Sequence, residues 1–315
     1  MTTALIAGAA GLVGSALCRH LMAQGTAVIA VDNLCTGSME NLAELQTNPL
    51  FQWLEQDICQ PFTVTESLDY IYHMASPASP DDFDAMALDI IWVNTVGTRN
   101  LLDLAKTHNA KLLFASTSEV YGNPLVHPQV ESYWGNVNPN GERSCYDESK
   151  RLGESIVSNY SRLHGVRYTL ARIFNTYGPR MRAQDGRVVP NFLLQAIRQQ
   201  PLELHGGGQQ TRSFCYVDDL VRGLVGLMES PVTDGDVYNV GNPNECTIEA
   251  FARTLSHVAG IDLRLNPVPS PRRDDPERRR PDISKIKAAI GWEPQVNLEE
   301  GLRLTLADFA TRFGT

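Results

Sequence analysis

Tyr146 and Lys150 stand four residues apart in C-Y-D-E-S-K, ahead of a run whose apolar residues include Leu152, Ile156, Tyr160 and Leu163. On a helix this spacing puts a phenol and an ammonium on one face, where the cation lowers the phenol's pKa and can hold a ribose hydroxyl. A phenol so tuned removes a hydroxyl proton near neutral pH. Alone, Tyr-x-x-x-Lys is common and usually marks only an exposed helical pair. Two other stretches give it weight. K-L-L-F-A at 111 has the look of a buried strand and leads into S-T-S-E-V-Y-G, so that Ser116, Ser118 and Glu119 arrive at a strand end. The third stretch, A-L-I-A running into G-A-A-G-L-V-G, places Gly8, Gly11 and Gly14 at a strand-to-helix turn.

Glycines there let the backbone approach a pyrophosphate and let the helix pack close, while the helix N-terminus offers free N–H groups to the anion. The spacing is G-x-x-G-x-x-G rather than G-x-G-x-x-G, and its context supports it. The second strand ends at Asp32, eighteen residues past Gly14, where an acid accepts adenosine ribose hydroxyls and repels a 2′-phosphate. NAD is therefore expected over NADP. Asn33 and Ile58 are grouped with the cofactor, and Asp57, after F-Q-W-L-E-Q, suits either an adenine contact or a turn.

These residues need a scaffold. Short β-rich runs at 4, 28, 69, 111 and 168 alternate with helical patterns, which predicts right-handed βαβ units and an α/β, Rossmann-like, doubly wound parallel sheet. Residues 1–172 are assigned to the dinucleotide domain, with 215–243 rejoining it through D-L-V-R-G-L-V-G-L-M and V-Y-N-V-G. The Pro-, Gly- and Arg-rich 173–214 and the segment 244–315 form a smaller, interleaved substrate domain. At 315 residues the chain has ample apolar content for a core, and a formal charge of −9 argues against nucleic acid or an anionic membrane as the main ligand. The six cysteines are scattered with no C-x-x-C or metal spacing, so reduced packing thiols and no metal are expected. With no signal-like n-region and no apolar run of transmembrane length, a cytoplasmic protein is predicted. The one dense charge run is R-R-D-D-P-E-R-R-R at 272–280, too diluted by Asp274, Asp275 and Glu277 for nucleic acid.

With these residues in view, the sequence resembles the UDP-glucuronate decarboxylases, or UDP-xylose synthases, of the extended short-chain dehydrogenase/reductase superfamily. The resemblance runs nearly end to end, through G-A-A-G-L-V-G-S, Y-H-M-A-S-P-A-S-P, S-T-S-E-V-Y-G-N-P, Y-W-G-N-V-N-P, C-Y-D-E-S-K-R, A-R-I-F-N-T-Y-G-P-R-M, D-G-R-V-V-P-N-F, Q-T-R-S-F-C-Y-V-D-D-L and D-D-P-E-R-R-R-P-D-I. Hexose-nucleotide 4,6-dehydratases carry S-T-D-E where this chain has S-T-S-E. A dehydratase must protonate a departing C6 hydroxyl and needs that extra acid. Oxidation of a glucuronate at C4 instead makes a β-keto acid, which loses carbon dioxide without one. The resemblance implies that Tyr146 is the base at O4, Lys150 supports it, and Ser118 and Glu119 orient the sugar or its water. It further implies that Asn175, Arg180, Arg182, Asn191, Arg212 and Tyr216 hold the UDP diphosphate and ribose, that Arg279 receives the sugar carboxylate, and that the neighbours of Arg279 are surface or pyrophosphate-proximal. Relatives usually pair as homodimers through helices near 90–107 and 148–164.

Two departures stand out. After S-P-A-S-P, relatives carry a tyrosine and a lysine near the substrate, and this chain has Phe83 and Asp89. An aspartate facing the incoming carboxylate would repel it, so the loop is expected to be repacked with Asp89 turned away. The glycine turn also reads I-A-G-A where relatives often have I-T-G-G, a change its backbone contacts should tolerate. The alternatives are a 4,6-dehydratase or 4-epimerase, and an NAD-binding sensor without catalysis, against which the joint presence of Ser118, Glu119, Tyr146, Lys150 and Arg279 speaks.

Overall fold

The structure, a computed structural model, describes residues 1–269, 276 and 278–314; Arg272, Arg273, Asp274, Asp275 and Glu277 of the charge run lie outside the described residues. In chain order the strands are β1 (Thr3–Ala7), β2 (Ala27–Asp32), β3 (Phe51–Glu55), β4 (Tyr70–His73), β5 (Lys111–Thr117), β6 (Tyr168–Ile173), β7 (Thr176–Tyr177), β8 (Leu202–His205), β9 (Thr211–Ser213), β10 (Cys215–Tyr216), β11 (Asp236–Val240), β12 (Glu245–Thr247) and β13 (Leu265–Val268). The α-helices are α1 (Leu12–Ala23), α2 (Ala87–Trp92), α3 (Thr98–His108), α4 (Ser144–His164), α5 (Val188–Ile197), α6 (Val217–Glu229), α7 (Ile248–Ala259), α8 (Ser284–Ile290) and α9 (Leu298–Phe313). A π turn, Val93–Gly97, joins α2 to α3.

Seven strands form one parallel sheet in the order β11-β6-β5-β4-β1-β2-β3. Both faces are covered, so its strands must be apolar on alternate residues in both directions. Along β1, Ala4 and Ile6 pack into the core with α1 and α6, whereas Leu5 and Ala7 pack into the core with α3 and α4. The central strand β5 is buried throughout. The strand order reverses between β1 and β4, and such a switch point leaves a crevice at the carboxyl ends of the strands. The glycine turn after β1 and the S-T-S-E segment after β5 both open at that end.

The second lobe is assembled from short pairs: β7 with β10, β9 antiparallel with β12, and β8 with β13. Helices α5, α7 and α9 close its core around Phe192, Phe214, Phe251 and Phe309. The chain returns from this lobe to the sheet through β11, which pairs with β6, and α6 joins the core over α1. V-Y-N-V lies in β11, the seventh strand of the sheet. No helix among the described residues is long and apolar enough to cross a membrane.

Candidate active site

A cleft of about 960 Å³ runs between the sheet's carboxyl edge and the second lobe. Its first end is the glycine turn. Gly8 sits at φ +82°, where a Cβ would lie 2.6 Å from the Ala75 nitrogen, and a Cβ at Gly14 would lie 2.0 Å from the Gly8 carbonyl oxygen. Both positions demand glycine for backbone contact. A Cβ at Gly11 would meet only the Gly8 oxygen, at 3.5 Å, and would otherwise point into open space beside the cleft. Gly11 also caps α1 with no side-chain hydrogen bond and no acid follows in the first turn, so the N–H groups there suit a pyrophosphate.

Asp32 closes this end from below. Its carboxylate accepts from the Ala10 N–H at 2.9 Å and the Leu34 N–H at 2.8 Å, bracing the glycine turn. Burial pushes its pKa up, against the pull of these backbone donors. It does not line the cleft, and neither do Asn33, Asp57 or Ile58. Asn33 is exposed and accepts from the Cys35 N–H. Asp57 accepts from the Cys59 N–H at 2.8 Å, which is the turn reading of that residue, and Ile58 is buried against Gly97.

At the other end, β5 finishes at Thr117, whose hydroxyl accepts from the Glu119 N–H and starts the turn Ser118–Tyr121. Glu119 is there to hold arginines. Arg279 donates through Nη1 to Oε1 at 2.5 Å and through Nη2 to Oε2 at 2.7 Å, while Arg143 reaches Oε2 at 2.8 Å. Burial raises the Glu119 pKa, but the two guanidinium charges and their hydrogen bonds outweigh it and hold the carboxyl near about 2. All three side chains line the cleft, as does Ser118.

Tyr146 and Lys150 enter from the start of α4 and line the same wall. The phenol ring stacks on Phe83 at 5.4 Å between centroids. Lys150 donates to the Ala115 carbonyl at 2.8 Å, and its ammonium lies 5.7 Å from the centre of the Tyr146 ring. The electrostatics differ from the simple pairing expected of a Tyr-x-x-x-Lys. Burial pushes the phenol up to about 12, opposed by the hydrogen bond with the Thr117 hydroxyl. Burial also pulls Lys150 down to about 7, because its ammonium faces a carbonyl and aromatic rings rather than an acid.

Of the residues expected at the diphosphate, Asn175, Arg182, Asn191 and Arg212 line the cleft. The Asn175 Nδ2 is buried without a hydrogen-bond partner among the described residues, a donor that a ligand oxygen would satisfy. Arg182 is engaged by both oxygens of Asp82, and Arg212 donates to the Thr211 carbonyl. Arg180 also lines the cleft, but on the glycine-turn side: it donates to the Asn41 carbonyl at 2.8 Å and pairs with Glu44 at 2.7 Å, while Asn41 itself bonds the Ala10 carbonyl. Tyr216 is the clear misplacement. It is buried in the second lobe's core beside Tyr177 and Gly301, behind the wall rather than in it. Phe83 is buried under Tyr146, and Asp89 is exposed on the first turn of α2, outside the cleft lining.

Sequence reasoning passed over Arg143. The available signal was its position: a cation at the amino end of a helix opposes the macrodipole, so it needs an acid elsewhere, which is Glu119. Arg187 and Asp185, paired with each other in the cleft wall, were missed for want of any local signature.

A glycine turn on a parallel sheet, a Tyr–Lys pair on α4 and an arginine-lined second lobe define a dinucleotide-dependent enzyme acting on an anionic small molecule. Residues 4–241 match the NAD dependent epimerase/dehydratase family. UDP-glucuronic acid decarboxylase 6 of Arabidopsis thaliana is 49% identical over 311 residues, 98% of this chain and 89% of that protein. UDP-glucuronic acid decarboxylase 1 of Xenopus tropicalis is 48% identical over 305 residues, 97% of this chain and 71% of that protein. Among solved structures, UDP-glucose 4-epimerase of Thermotoga maritima with UDP-glucose superposes with a TM-score of 0.90 at 30% identity, over 99% of both chains. UDP-glucuronic acid 4-epimerase of Bacillus cereus, in complex with UDP-glucuronic acid and NAD, superposes at 0.89 with 26% identity over 99% of this chain and 100% of that one. The chain belongs to the NAD dependent epimerase/dehydratase family, on its UDP-glucuronate decarboxylase branch. Its cofactor is NAD, and the turn of Gly8, Gly11 and Gly14, with Tyr146 and Lys150, lines the cleft.

Proposed function

We propose that the protein decarboxylates UDP-glucuronate to UDP-xylose through a 4-keto sugar. The observation that carries this reading is the pair of buried arginines, Arg143 and Arg279, converging on Glu119 within 2.8 Å at the tyrosine end of the cleft. The guanidiniums of Arg143 and Arg279 line the cleft and offer cationic groups to a sugar acid beside the phenol. NAD, when bound, supplies reversible hydride acceptance at C4. Tyr146 takes the O4 proton as the alcohol becomes a ketone and returns it afterwards. The ketone stands β to the carboxylate, so loss of carbon dioxide places the electron pair in an enolate that C5 protonation quenches. Ser118 and Glu119, with no second acid at position 118, orient the sugar and its water.

The same proposal includes a homodimer and a cytoplasmic setting. Leu88, Trp92 and Val96 recur every four residues along α2 and the turn after it, and Leu152 and Leu163 are exposed on α4, which packs beside α2. All six cysteines are free, which suits a reducing compartment.

Isotope fate tests the chemistry. With UDP-glucuronate in deuterated water and no added reductant, the expected products are carbon dioxide and UDP-xylose bearing one non-exchangeable deuterium at C5 and none at C4. An unlabelled 4-epimer without carbon dioxide would replace the decarboxylase with an epimerase. A 4-keto-6-deoxy sugar from UDP-glucose would make it a dehydratase.

A further inference from the structure

Asp147 follows Tyr146 directly on α4, yet it does not line the cleft. Its residue is only 6% exposed, its Oδ2 lies 3.8 Å from Arg143 Nε, and its Oδ1 has no hydrogen-bond partner among the described residues. Arg143 reaches Glu119, and Glu119 holds Arg279 by both oxygens. Four side chains from three segments thus share one buried cluster in which Arg143 is the bridge. Among these four side chains are two cations and two acids. A buried carboxylate with an orphan oxygen and only one distant cationic contact is costly as an anion and cheap as a neutral acid.

We infer that Asp147 is a positioning residue that shifts the charge of the Glu119–Arg143–Arg279 cluster by one unit, more positive with the proton on than with it off, and so sets the cleft's affinity for a carboxylate-bearing sugar nucleotide. The inference rests on the decarboxylase reading for the identity of that sugar. The groups around Asp147 support it. Glu119 faces it from the turn after β5, Arg279 from the segment 278–280, and Arg143, Cys145, Tyr146 and Glu148 from the start of α4 itself. On the neighbouring helices, Asp89 of α2 is exposed, and Arg99 and Asp103 of α3 pair with each other at 3.6 Å in solvent. Burial, then the charge of Glu119, push the Asp147 carboxyl up to about 7 against the pull of Arg143 and Arg279. Below that point the cluster is one unit more positive than above it. An added anion in turn favours the protonated form, so binding UDP-glucuronate draws a proton onto the enzyme.

The test compares the wild type with Asp147→Asn, which keeps the neutral shape at every pH. The wild-type KM for UDP-glucuronate is expected to rise about tenfold between about pH 5.5 and 9, as one pKa unit of coupling implies. In Asp147→Asn that tenfold component should be lost, leaving only what groups shared by both proteins contribute, while kcat follows the wild-type profile. Lys150, also displaced towards neutrality, titrates in both proteins and cancels in the comparison. Calorimetry of the wild type in buffers of different ionisation enthalpy gives a readout independent of any variant's folding: near neutrality UDP-glucuronate should bind with proton uptake, and UDP-glucose, with the same diphosphate and no carboxylate, without it. Equal uptake for both sugars, or an unchanged KM trend in Asp147→Asn, would overturn the inference while leaving the decarboxylase intact. Failure of the wild type to turn over UDP-glucuronate would overturn both.

Discussion

The phenol of Tyr146 is buried, stacked on Phe83 and pushed towards its neutral form, so taking the O4 proton requires that it first ionise, while returning that proton to O4 is favoured. Replacing it with phenylalanine keeps the ring and its stack, so Tyr146→Phe should melt like the wild type and bind NAD normally. Its turnover should fall by the 10²–10⁴-fold typical of a positioned acid–base group, a loss of about 3–5 kcal/mol in the barrier, read by steady-state carbon dioxide release. Near-wild-type turnover would remove the phenol from the mechanism. Residue types with strict local spacing, such as Tyr146 with Lys150 or the three glycines, were legible from the chain alone. The arginines were not, because a guanidinium reaches far and the acid that claims it comes from elsewhere: Glu44 draws Arg180 to the cofactor side, and Glu119 draws Arg143 into the site. Tyr216 has the right type for a ligand contact, but only the packing of Tyr177 and α9 shows that its ring is enclosed.

Among the elements, the turn between β1 and α1 is the most tightly determined. A methyl group at Gly14 would press on the Gly8 carbonyl, so Gly14→Ala should lower stability by about 1–3 kcal/mol, the usual cost of overpacking, and weaken NAD through displacement of α1. Gly11→Ala has room for its methyl group and should keep the melting temperature of the apoprotein while still weakening NAD, because the methyl occupies the pyrophosphate's approach. Thermal melts with and without NAD separate the two. Equal behaviour of both variants would mean that the two glycines do not divide packing from binding in this way. The sheet strands announced themselves through their burial on both faces. The exception is β3, an edge strand with alternating partial exposure whose F-Q-W-L-E lacks a continuous apolar run. The second lobe's strands are two to four residues long, too short to carry a period, and they exist because tertiary neighbours pair them.

For the whole molecule, the exposed stripe of Leu88, Trp92 and Val96 beside Leu152 is the surface on which a second copy would seat. Charged substitutions there should uncouple assembly from folding. Leu88→Glu with Trp92→Glu is expected to convert a dimer to a monomer in sedimentation experiments while leaving the far-ultraviolet dichroism unchanged, because neither side chain belongs to the core. A wild-type chain that sediments as a monomer would refute the proposed pairing. The cleft, by contrast, is built within one chain, since the glycine turn, α4, the Arg212 strand and Arg279 all belong to it.

The return of β11 to the sheet also orders events on the ribosome. Until Asp236–Val240 has emerged, β6 is the last strand of an unfinished sheet, with the outer row of its backbone donors and acceptors unmatched. Much of the intervening chain belongs to the other lobe. A nascent chain arrested between 174 and 235 therefore carries a bare parallel edge, open to pairing with any extended segment nearby. Synthesis of β11 covers that row and moves the edge outward by one strand, so the first lobe cannot complete itself before the opening part of the second has been made.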